Sequence, residues 1–427
     1  MKRILLFTIF LSLLYPIPSF AENENDVKAA FIRDGNLWTF INNEEKQITK
    51  TGKVFGQPKW SKDGQWLLYQ NEAPAEHKGK DMQQEIWAYQ IQTSEKKKIF
   101  YDAYAPSWSP KKNVIAFNQV GTINISDLSR FFNIAVGVHG YTWLPDGSGF
   151  LLSSAGTLQP DGWTSAILFT KKVGENYKDV VLFGGVDHFF TLPREIGTNK
   201  DNKIIAVHAG DFNYSPSKKW ISFIVSPTAS WSMDSNMLCV ISSEGKDFKV
   251  LDELIRQVGE PKWAPSNDTI AYIAGGGRIV FGFKNKDLKI EVMPASTKYT
   301  PENYVDLDFD WITDNTIVSS RSKEAEWSND FSKHPLPSLY FIDVEANKQH
   351  KITEPPKGYG DYNPLYVKSI DKIVWFRGTS ITDNNRNLWK ANTNGTGAKL
   401  WIQNVDTIEF YKDKLDPTIV NSSNYSS

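Results

Sequence analysis

The chain has 427 residues, of which 40% are hydrophobic and 13% aromatic, and its 48 basic and 49 acidic residues give a net charge of −1. This balance excludes an overall field that would attract nucleic acid or an anionic membrane, so we expect neither as a partner. The single cysteine, Cys239, lies in the apolar run MLCVIS and has no partner for an intramolecular disulfide. We expect a buried and unreactive thiol.

The N-terminus has the composition of a secretory signal. Two basic residues precede an apolar run at residues 4–15, and Ser19 and Ala21 are small residues of the kind that a signal peptidase recognises. The run is shorter than the roughly 20 residues that span a bilayer. The pattern predicts a signal peptide at residues 1–21 and an exported chain that begins near Glu22, without stable membrane insertion. An uncleaved anchor is the alternative.

A turn-and-strand motif recurs along the rest of the chain. In QPKWSKDGQWLLYQ (57–70), Asp63-Gly64 is a tight-turn pair, because Gly accepts a positive φ, and the following apolar run is typical of a buried strand. Self-similarity at roughly 40 to 50 residues, carried by short strands, is typical of a β-propeller. The aligned aromatic residues are Trp60, Trp108, Trp143, Tyr214, Trp263, Trp311 and Tyr366.

The number of apolar strands predicts an all-β propeller with eight blades, and seven blades are the alternative because the middle of the chain is irregular. The first unit lacks the Pro-x-Trp prefix, and VDTIEFY (405–411) is a strand followed only by a polar tail. We therefore expect this C-terminal strand to complete the first blade and close the ring. The prediction is one propeller domain at 22–412, with an insertion or irregular blade edge at 184–207, and a flexible tail at 413–427.

The repeat also resembles a known family. Pro-x-Trp-Ser-x-Asp-Gly, then an Ile-Ala-Phe-like strand, then a Leu-Trp or Ile-Trp strand, is similar to the WD-like repeat of TolB-type propellers. The match is clearest at 57–70, 105–119 and 260–274 and covers about residues 27 to 411. It implies blade architecture rather than function. TolB-type proteins carry an α/β domain before the propeller, for which this chain leaves no room, and prolyl oligopeptidase-like propellers need a following hydrolase domain, which this sequence does not show.

No stretch carries a motif of catalytic or metal chemistry. There is no Gly-x-Ser-x-Gly elbow, no His-Glu-x-x-His and no phosphate-binding loop, and AGGGRIV (274–280) is interpreted as a hairpin turn. The six histidines are scattered. Asp306, Asp308 and Asp310 alternate with apolar residues on one strand face, which matches either a Ca²⁺ site or, as we favour, a polar strand face. We assign no catalytic residue, no metal and no cofactor.

The loops that follow the apolar strands are the predicted binding surface, because equivalent loops of all blades gather at one end of a propeller. Exposed aromatic rings beside carboxylates and guanidinium groups suit sugars or polypeptide segments. The alternative is that each tryptophan folds back onto its own blade. The predicted ligand-binding residues are Trp163, Trp231, Trp327, Arg321, Glu324 and Arg377.

The sequence favours an exported, monomeric and non-catalytic propeller that binds a protein or a cell-envelope glycan through this surface. One alternative is a glycan lyase or hydrolase that uses paired carboxylates in the central funnel. Another is a purely structural component of an assembly. Converging tryptophans would favour binding, whereas two buried carboxylates facing each other in the funnel would favour an enzyme.

Overall fold

The structure is a computed structural model that describes residues 27–76, 81–199, 202–256, 258–292, 295–383 and 386–412. The predicted signal peptide and the predicted tail lie outside the described residues. In the part of the chain that is described, no helix has the length and apolar character needed to cross a membrane. The 3₁₀ turns are Tyr177–Asp179, Ala229–Met233, Ile279–Phe281, Phe331–Lys333 and Lys368–Ile370.

Strands make up nearly all of the regular structure. The first half of the chain contains β1 (Lys28–Arg33), β2 (Asn36–Ile41), β3 (Glu44–Gln47), β4 (Val54–Trp60), β5 (Trp66–Pro74), β6 (Met82–Gln90), β7 (Lys96–Phe100), β8 (Tyr104–Trp108), β9 (Ile115–Gln119), β10 (Thr122–Ser126), β11 (Phe131–Ala135), β12 (Gly140–Trp143), β13 (Gly149–Ser153), β14 (Leu158–Gln159), β15 (Gly162–Trp163), β16 (Ile167–Lys172), β17 (Val186–Thr191), β18 (Glu195–Gly197) and β19 (Lys203–Ile205). The second half contains β20 (His208–Tyr214), β21 (Trp220–Ser226), β22 (Asn236–Ser242), β23 (Lys249–Leu254), β24 (Lys262–Trp263), β25 (Thr269–Ala274), β26 (Asp287–Val292), β27 (Ala295–Lys298), β28 (Tyr304–Thr313), β29 (Thr316–Lys323), β30 (Ser338–Asp343), β31 (Lys348–Lys351), β32 (Gly360–Val367), β33 (Lys372–Gly378), β34 (Arg386–Ala391), β35 (Lys399–Val405) and β36 (Thr407–Phe410).

Eight four-stranded antiparallel sheets form the blades of a β-propeller, which confirms both the fold class and the blade number. Two small hairpins, β14–β15 and β18–β19, lie outside the blades. The second hairpin occupies the end of the predicted irregular segment 184–207, whose beginning forms the outer strand β17 of blade 4. From blade 1 to blade 8 the strand orders are β36-β1-β2-β3, β4-β5-β6-β7, β8-β9-β10-β11, β12-β13-β16-β17, β20-β21-β22-β23, β24-β25-β26-β27, β28-β29-β30-β31 and β32-β33-β34-β35.

The ring is closed by pairing between the two ends of the described chain. Strand β36 runs antiparallel to β1, with Phe31 opposite Ile408. Two further backbone bonds extend this pairing, from the Asp406 amide to the Ile32 carbonyl at 2.8 Å and from the Tyr411 amide to the Lys28 carbonyl at 2.7 Å. The predicted closure of the first blade by the C-terminal strand is therefore confirmed.

The core lies between the blades, and this explains why the second strands are apolar on both faces. In β5, Leu67 and Tyr69 pack against blade 1, whereas Leu68 between them packs against blade 3. Each pair of consecutive blades encloses one such cluster of buried side chains. Successive side chains of a strand point to opposite faces, so a strand with one exposed face alternates apolar and polar residues. These second strands are buried on both faces, and their sequences therefore carry apolar residues on both faces.

In four blades the tryptophan of the repeat motif joins the blade to the one before it. It ends the innermost strand, and its indole N–H donates to a backbone carbonyl of the innermost strand of the preceding blade. Trp60, Trp108 and Trp263 pack against the clusters between adjacent blades, although they are only partly buried. The bonds are Trp60 to Glu409 at 3.2 Å, Trp108 to Lys59 at 3.0 Å, Trp263 to Asn213 at 3.2 Å and Trp311 to Lys262 at 3.1 Å.

The turn of the motif also makes contacts between blades. Asp63 accepts a hydrogen bond from the side chain of Asn113 in the equivalent turn of blade 3, at 2.6 Å. Gly64 has φ +64°, and a Cβ atom there would lie 2.6 Å from the ring of Tyr411. A side chain at this position would therefore be strained in the backbone and would also clash with the strand that closes the ring.

Loops of two kinds share one end of the ring, because neighbouring strands of a blade are antiparallel. We call this end the loop face, and it holds the loops between the second and third strands of each blade together with the loops between blades. The opposite end, the turn face, holds the turns between the first and second strands. Both Lys28 and Tyr411 lie at the turn face, where the Tyr411 hydroxyl donates to the Lys62 carbonyl at 3.1 Å.

Candidate functional site

Two of the three predicted tryptophans line one cleft on the loop face. Trp163 ends the hairpin β14–β15 of blade 4, and Trp231 lies in the 3₁₀ turn that joins β21 to β22 in blade 5. The cleft between them has a volume of about 520 Å³. Its other lining residues are Glu195, Lys203, Ile204, Ile205, Val207, Pro227 and Thr228.

The wall that carries Trp163 is held by contacts with the loop between blades 4 and 5. Within the hairpin, Trp163 pairs with Leu158. At the hairpin turn, the carbonyl of Asp161 accepts a hydrogen bond from the Arg194 guanidinium at 2.5 Å. Before it, the Gly156 amide donates to the Val207 carbonyl at 2.7 Å. The position of Trp163 is thus fixed by the segment that also supplies the floor of the cleft.

The loop that carries Trp231 is held in place by hydrogen bonds from a residue of blade 6. Asp234, three residues after Trp231, accepts bonds from the Arg278 guanidinium at 2.6 and 3.1 Å. The same guanidinium donates to the Ser230 carbonyl at 3.1 Å. Trp231 itself is 71% exposed. An indole held in place by its neighbours and yet open to water is available to a partner without rearrangement of the loop.

The cleft is apolar at its floor and polar where it is exposed. Ile204 and Val207 are buried, and Ile205 is partly open to solvent. The charged lining consists of Glu195 and Lys203, whose side chains form an exposed ion pair at 3.8 Å. Such a lining offers aromatic and aliphatic contact area with few hydrogen-bonding groups.

Trp327 lies in a different cluster of the loop face. Its ring packs on His334 at 4.3 Å, Phe283 at 6.1 Å and Phe331 at 6.5 Å between centroids. Its indole N–H donates to the Asn329 side chain at 3.2 Å, and the ring is partly buried. Trp327 therefore packs against its own loop and the loop of blade 6, and it does not line the cleft of Trp163 and Trp231.

The prediction that Arg321 and Arg377 lie in exposed loops is wrong. Arg321 lies in β29, is 2% exposed, and binds both carboxylate oxygens of Asp306 at 2.8 and 2.9 Å. Arg377 lies in β33 and binds Asp361 in the same way, at 2.7 and 3.0 Å. Strands β29 and β33 extend beyond their apolar residues and include these arginines. Each arginine lies directly opposite an aspartate of the innermost strand, which neutralises its charge. Neither guanidinium is open to a ligand on the loop face.

Glu324 follows β29 and is exposed on the loop face, where its carboxylate accepts from the Asn285 amide at 3.4 Å. It therefore lies with the loops of blades 6 and 7, near Trp327 in the chain, and is not among the residues that line the cleft of Trp163 and Trp231. The six predicted residues do not form one site, and the structure brings together only the first two.

The three aspartates of VDLDFDW make contacts within and between blades. Asp306 forms the buried ion pair with Arg321. Asp308 accepts a hydrogen bond from the Asn363 side chain at 2.8 Å, and Asp310 accepts one from the Tyr366 backbone amide at 2.9 Å. Within the described ranges, no cluster of three or more histidine, cysteine, aspartate or glutamate side chains is arranged to hold a metal ion.

Several exposed apolar residues of the loop face were missed by the sequence analysis. The stretch AGGGRIV, predicted as a hairpin turn, begins a long loop between β25 and β26, and Phe281 projects from its 3₁₀ turn. The sequence signal for an exposed apolar loop was the apolar run at 279–281, which follows the glycines and Arg278. The exposed apolar residues in these loops include Val120, Val136, Leu158, Ile205, Met233, Val280, Phe281 and Phe331.

Comparison with known proteins gives a fold and no family. No family model matches the sequence, and no curated protein matches it. Among solved structures, the chain is similar to a eukaryotic initiation factor at 9% identity, with a TM-score of 0.57 over 91% of this chain and 88% of that one.

Two further solved structures bear on the expected resemblance. TolB from Acinetobacter baumannii is similar at 10% identity, with a TM-score of 0.37 over 91% of this chain and 67% of that one. A puromycin-hydrolysing peptidase of Mycobacterium tuberculosis is similar at 10% identity, with a TM-score of 0.48 over 82% of this chain and 53% of that one. The chain thus spans about half the length of the peptidase. Similarity at these identities does not establish membership of a TolB-like family.

Proposed function

We propose that the protein is a non-catalytic propeller that binds a polypeptide segment of a partner protein in the cleft between blades 4 and 5. The observation that carries this proposal is that Trp163 and Trp231 line one cleft of about 520 Å³ on the loop face. Aromatic side chains with adjoining pockets are the usual anchoring points of protein interfaces. Pockets of this size are common in ligand sites.

A polypeptide fits the lining better than a glycan does. Sugar rings stack on indoles but also present hydroxyl groups that need several hydrogen-bonding partners, and this cleft offers one exposed ion pair and Thr228. Exposed apolar side chains continue beyond the cleft along the loop face, through Phe281 to Phe331. An apolar surface spread over several blades is typical of a protein–protein interface.

One carboxylate near the propeller axis is already paired with a cation, and this favours a binding role over a catalytic one. Two cavities lie beside the innermost strands of blades 3 to 5, and Asp211 and Glu260 are the carboxylates among the described residues that line them. Asp211 binds the Arg256 guanidinium at 2.6 Å. A glycosidase needs two carboxylates on either side of the scissile bond, one of them kept protonated.

The double substitution Trp163→Ala and Trp231→Ala is expected to abolish capture of the partner while the propeller stays folded. Both rings lie outside the eight blade sheets, so their loss leaves the cores between blades intact. The measurement is a pull-down from cell-envelope extract with the mature chain as bait, together with circular dichroism and a denaturant midpoint for each variant.

The matched control is Trp327→Ala, which removes an indole from the same face but outside the cleft. We expect this variant to retain capture. A folded double variant that still captures the partner would contradict the proposal, and loss of capture only in the Trp327 variant would move the site to blades 6 and 7. Capture that survives protease treatment of the extract and disappears after glycosidase treatment would identify a glycan as the ligand.

We also propose that the protein is exported as a monomer, with residues 1–21 removed and the propeller domain at 22–412. The basic, apolar and small-residue pattern of the first 21 residues supports this proposal. We expect intact-mass spectrometry of the exported protein to give an N-terminus near Glu22. A mature protein that retains Met1 would contradict it.

A further inference from the structure

A second cavity lies along the propeller axis, and the proposed binding of a polypeptide makes no use of it. A cavity of about 530 Å³ is lined mainly by the innermost strands of blades 3, 4 and 5 and by Lys59 from blade 2. A neighbouring cavity of about 430 Å³ shares Lys59, Tyr141, Asp211 and Arg256 with it. The two cavities adjoin at these residues, and together we call them the axial cavity. Its volume is within the range of small-molecule sites.

Cationic and titratable nitrogen groups converge on the larger part of the axial cavity. The rings of His139 and His208 stack with centroids 4.2 Å apart at the start of the innermost strands of blades 4 and 5. Arg256 and Lys59 add two positive charges. Asp211, bonded to Arg256, is the only carboxylate among the described residues that line this part. The Lys59 ammonium donates to the Pro106 carbonyl at 2.9 Å.

The surroundings of these groups favour an added negative charge. Burial lowers the pKa of His139 and of His208, and the charge of Arg256 lowers both further. Burial also lowers the pKa of Lys59, against the opposing effects of Glu409 and Glu260. An anion bound among these groups would offset the effect of Arg256 and raise the pKa of both histidines, because it supplies the opposite charge at close range.

The walls of the axial cavity carry flat aromatic rings, and one of them breaks the pattern of the repeat. Trp108, Tyr141, Trp143 and Tyr214 line the cavity. Trp143 is 7% exposed, and its indole N–H has no hydrogen-bond partner in the described structure. In four other blades the equivalent indole donates to the preceding blade. The Nδ1 atom of His208 likewise lacks a partner.

We propose that the axial cavity is a binding site for a small organic anion with a planar body, of the aromatic carboxylate class. The carboxylate would bind Arg256 and the His139–His208 pair, and the ring would pack against the aromatic walls. The two unsatisfied nitrogens, on Trp143 and His208, belong to residues that line this site.

The test uses the mature chain with benzoate as the probe and inorganic phosphate as an anion that lacks a ring, both measured by isothermal titration calorimetry. We expect benzoate to bind more tightly than phosphate. Arg256→Gln is expected to weaken benzoate binding about tenfold or more, the effect of losing a charge-assisted hydrogen bond. The matched control is Arg278→Gln, which breaks a similar Arg–Asp pair on the loop face.

The pH dependence gives a second readout. The charged groups facing the two histidines are Arg256 and Asp211, with Lys59 and Glu260 further along the cavity. Protonation of either histidine adds positive charge, so benzoate is expected to bind more tightly at about pH 5.5 than at about pH 8. His208→Gln should reduce this difference, and it provides a second variant if Arg256→Gln does not fold.

Three outcomes would overturn the proposal: no benzoate binding to the wild type, equal affinity for phosphate and benzoate, or equal losses in the Arg256 and Arg278 variants. The double variant that lacks Trp163 and Trp231 is expected to keep full benzoate affinity. Failure of the axial site and failure of the cleft on the loop face are therefore distinguishable.

Discussion

Replacing Arg321 by Met is expected to lower the free energy of unfolding by about 3–5 kcal/mol, the cost of leaving one charge of a buried pair without its partner. Arg321 and Asp306 are both almost fully buried. Hydrogen bonds from Thr300 and Ser319 to Asp306 would remain, at 2.6 and 2.5 Å, but they carry no compensating charge. The measurement is a denaturant unfolding curve followed by tryptophan fluorescence.

Two controls separate the unpaired charge from the loss of packing. The double variant Asp306→Leu with Arg321→Met removes both charges and is expected to recover part of the stability. Lys351→Met breaks an exposed pair with Glu354, joined at 2.6 Å, and should leave the midpoint nearly unchanged, because exposed ion pairs contribute little. A double variant no more stable than Arg321→Met alone would show that packing is the cause.

Replacing Trp311 by Ala is expected to cost about 3–5 kcal/mol of stability, as for other large buried aromatic residues. Trp311 is 5% exposed and packs in the core cluster between blades 6 and 7. The substitution would leave a cavity between the two blades and remove the bond from the indole N–H to the Lys262 carbonyl. The comparison variant Trp311→Phe keeps an aromatic ring, so a smaller loss is expected from it.

Trp108→Ala tests whether the loss of stability depends on how deeply the replaced tryptophan is buried. Trp108 makes the same kind of bond to the preceding blade but is only partly buried. We expect its substitution to lower the denaturant midpoint less than that of Trp311. A larger loss of stability in Trp108→Ala than in Trp311→Ala would contradict the dependence on burial.

Much of the fold could be predicted from the sequence because the blades bury both faces of their strands. Strands β2, β22 and β30, for example, are runs of mostly apolar residues. Their apolar residues are bounded by polar turns, so the ends of the strands are clear. The pairing of β36 with β1 could be predicted from a strand missing at one end of the chain and a spare strand at the other.

The candidate site was less predictable, because it depends on contacts between distant segments. Trp163 and Trp231 meet only because the hairpin β18–β19, inserted between blades 4 and 5, forms the floor of their cleft. The burial of Arg321 depends on Asp306, an aspartate on the neighbouring strand. From sequence, a charged residue at the end of an apolar strand is more often exposed than paired inside, so Arg321 and Arg377 were misassigned.

The pairing of β36 with β1 also constrains the order in which the protein can fold. Blades 2 to 8 are each made of consecutive segments, so each can form as the ribosome releases its strands. Blade 1 is different, because its innermost strand, β36, is synthesised after all the strands of the other blades. Until then β1 presents an unpaired edge, which is the kind of surface that other chains join. The ring is therefore open during every round of synthesis, and β1 keeps one unpaired edge until β36 has been synthesised.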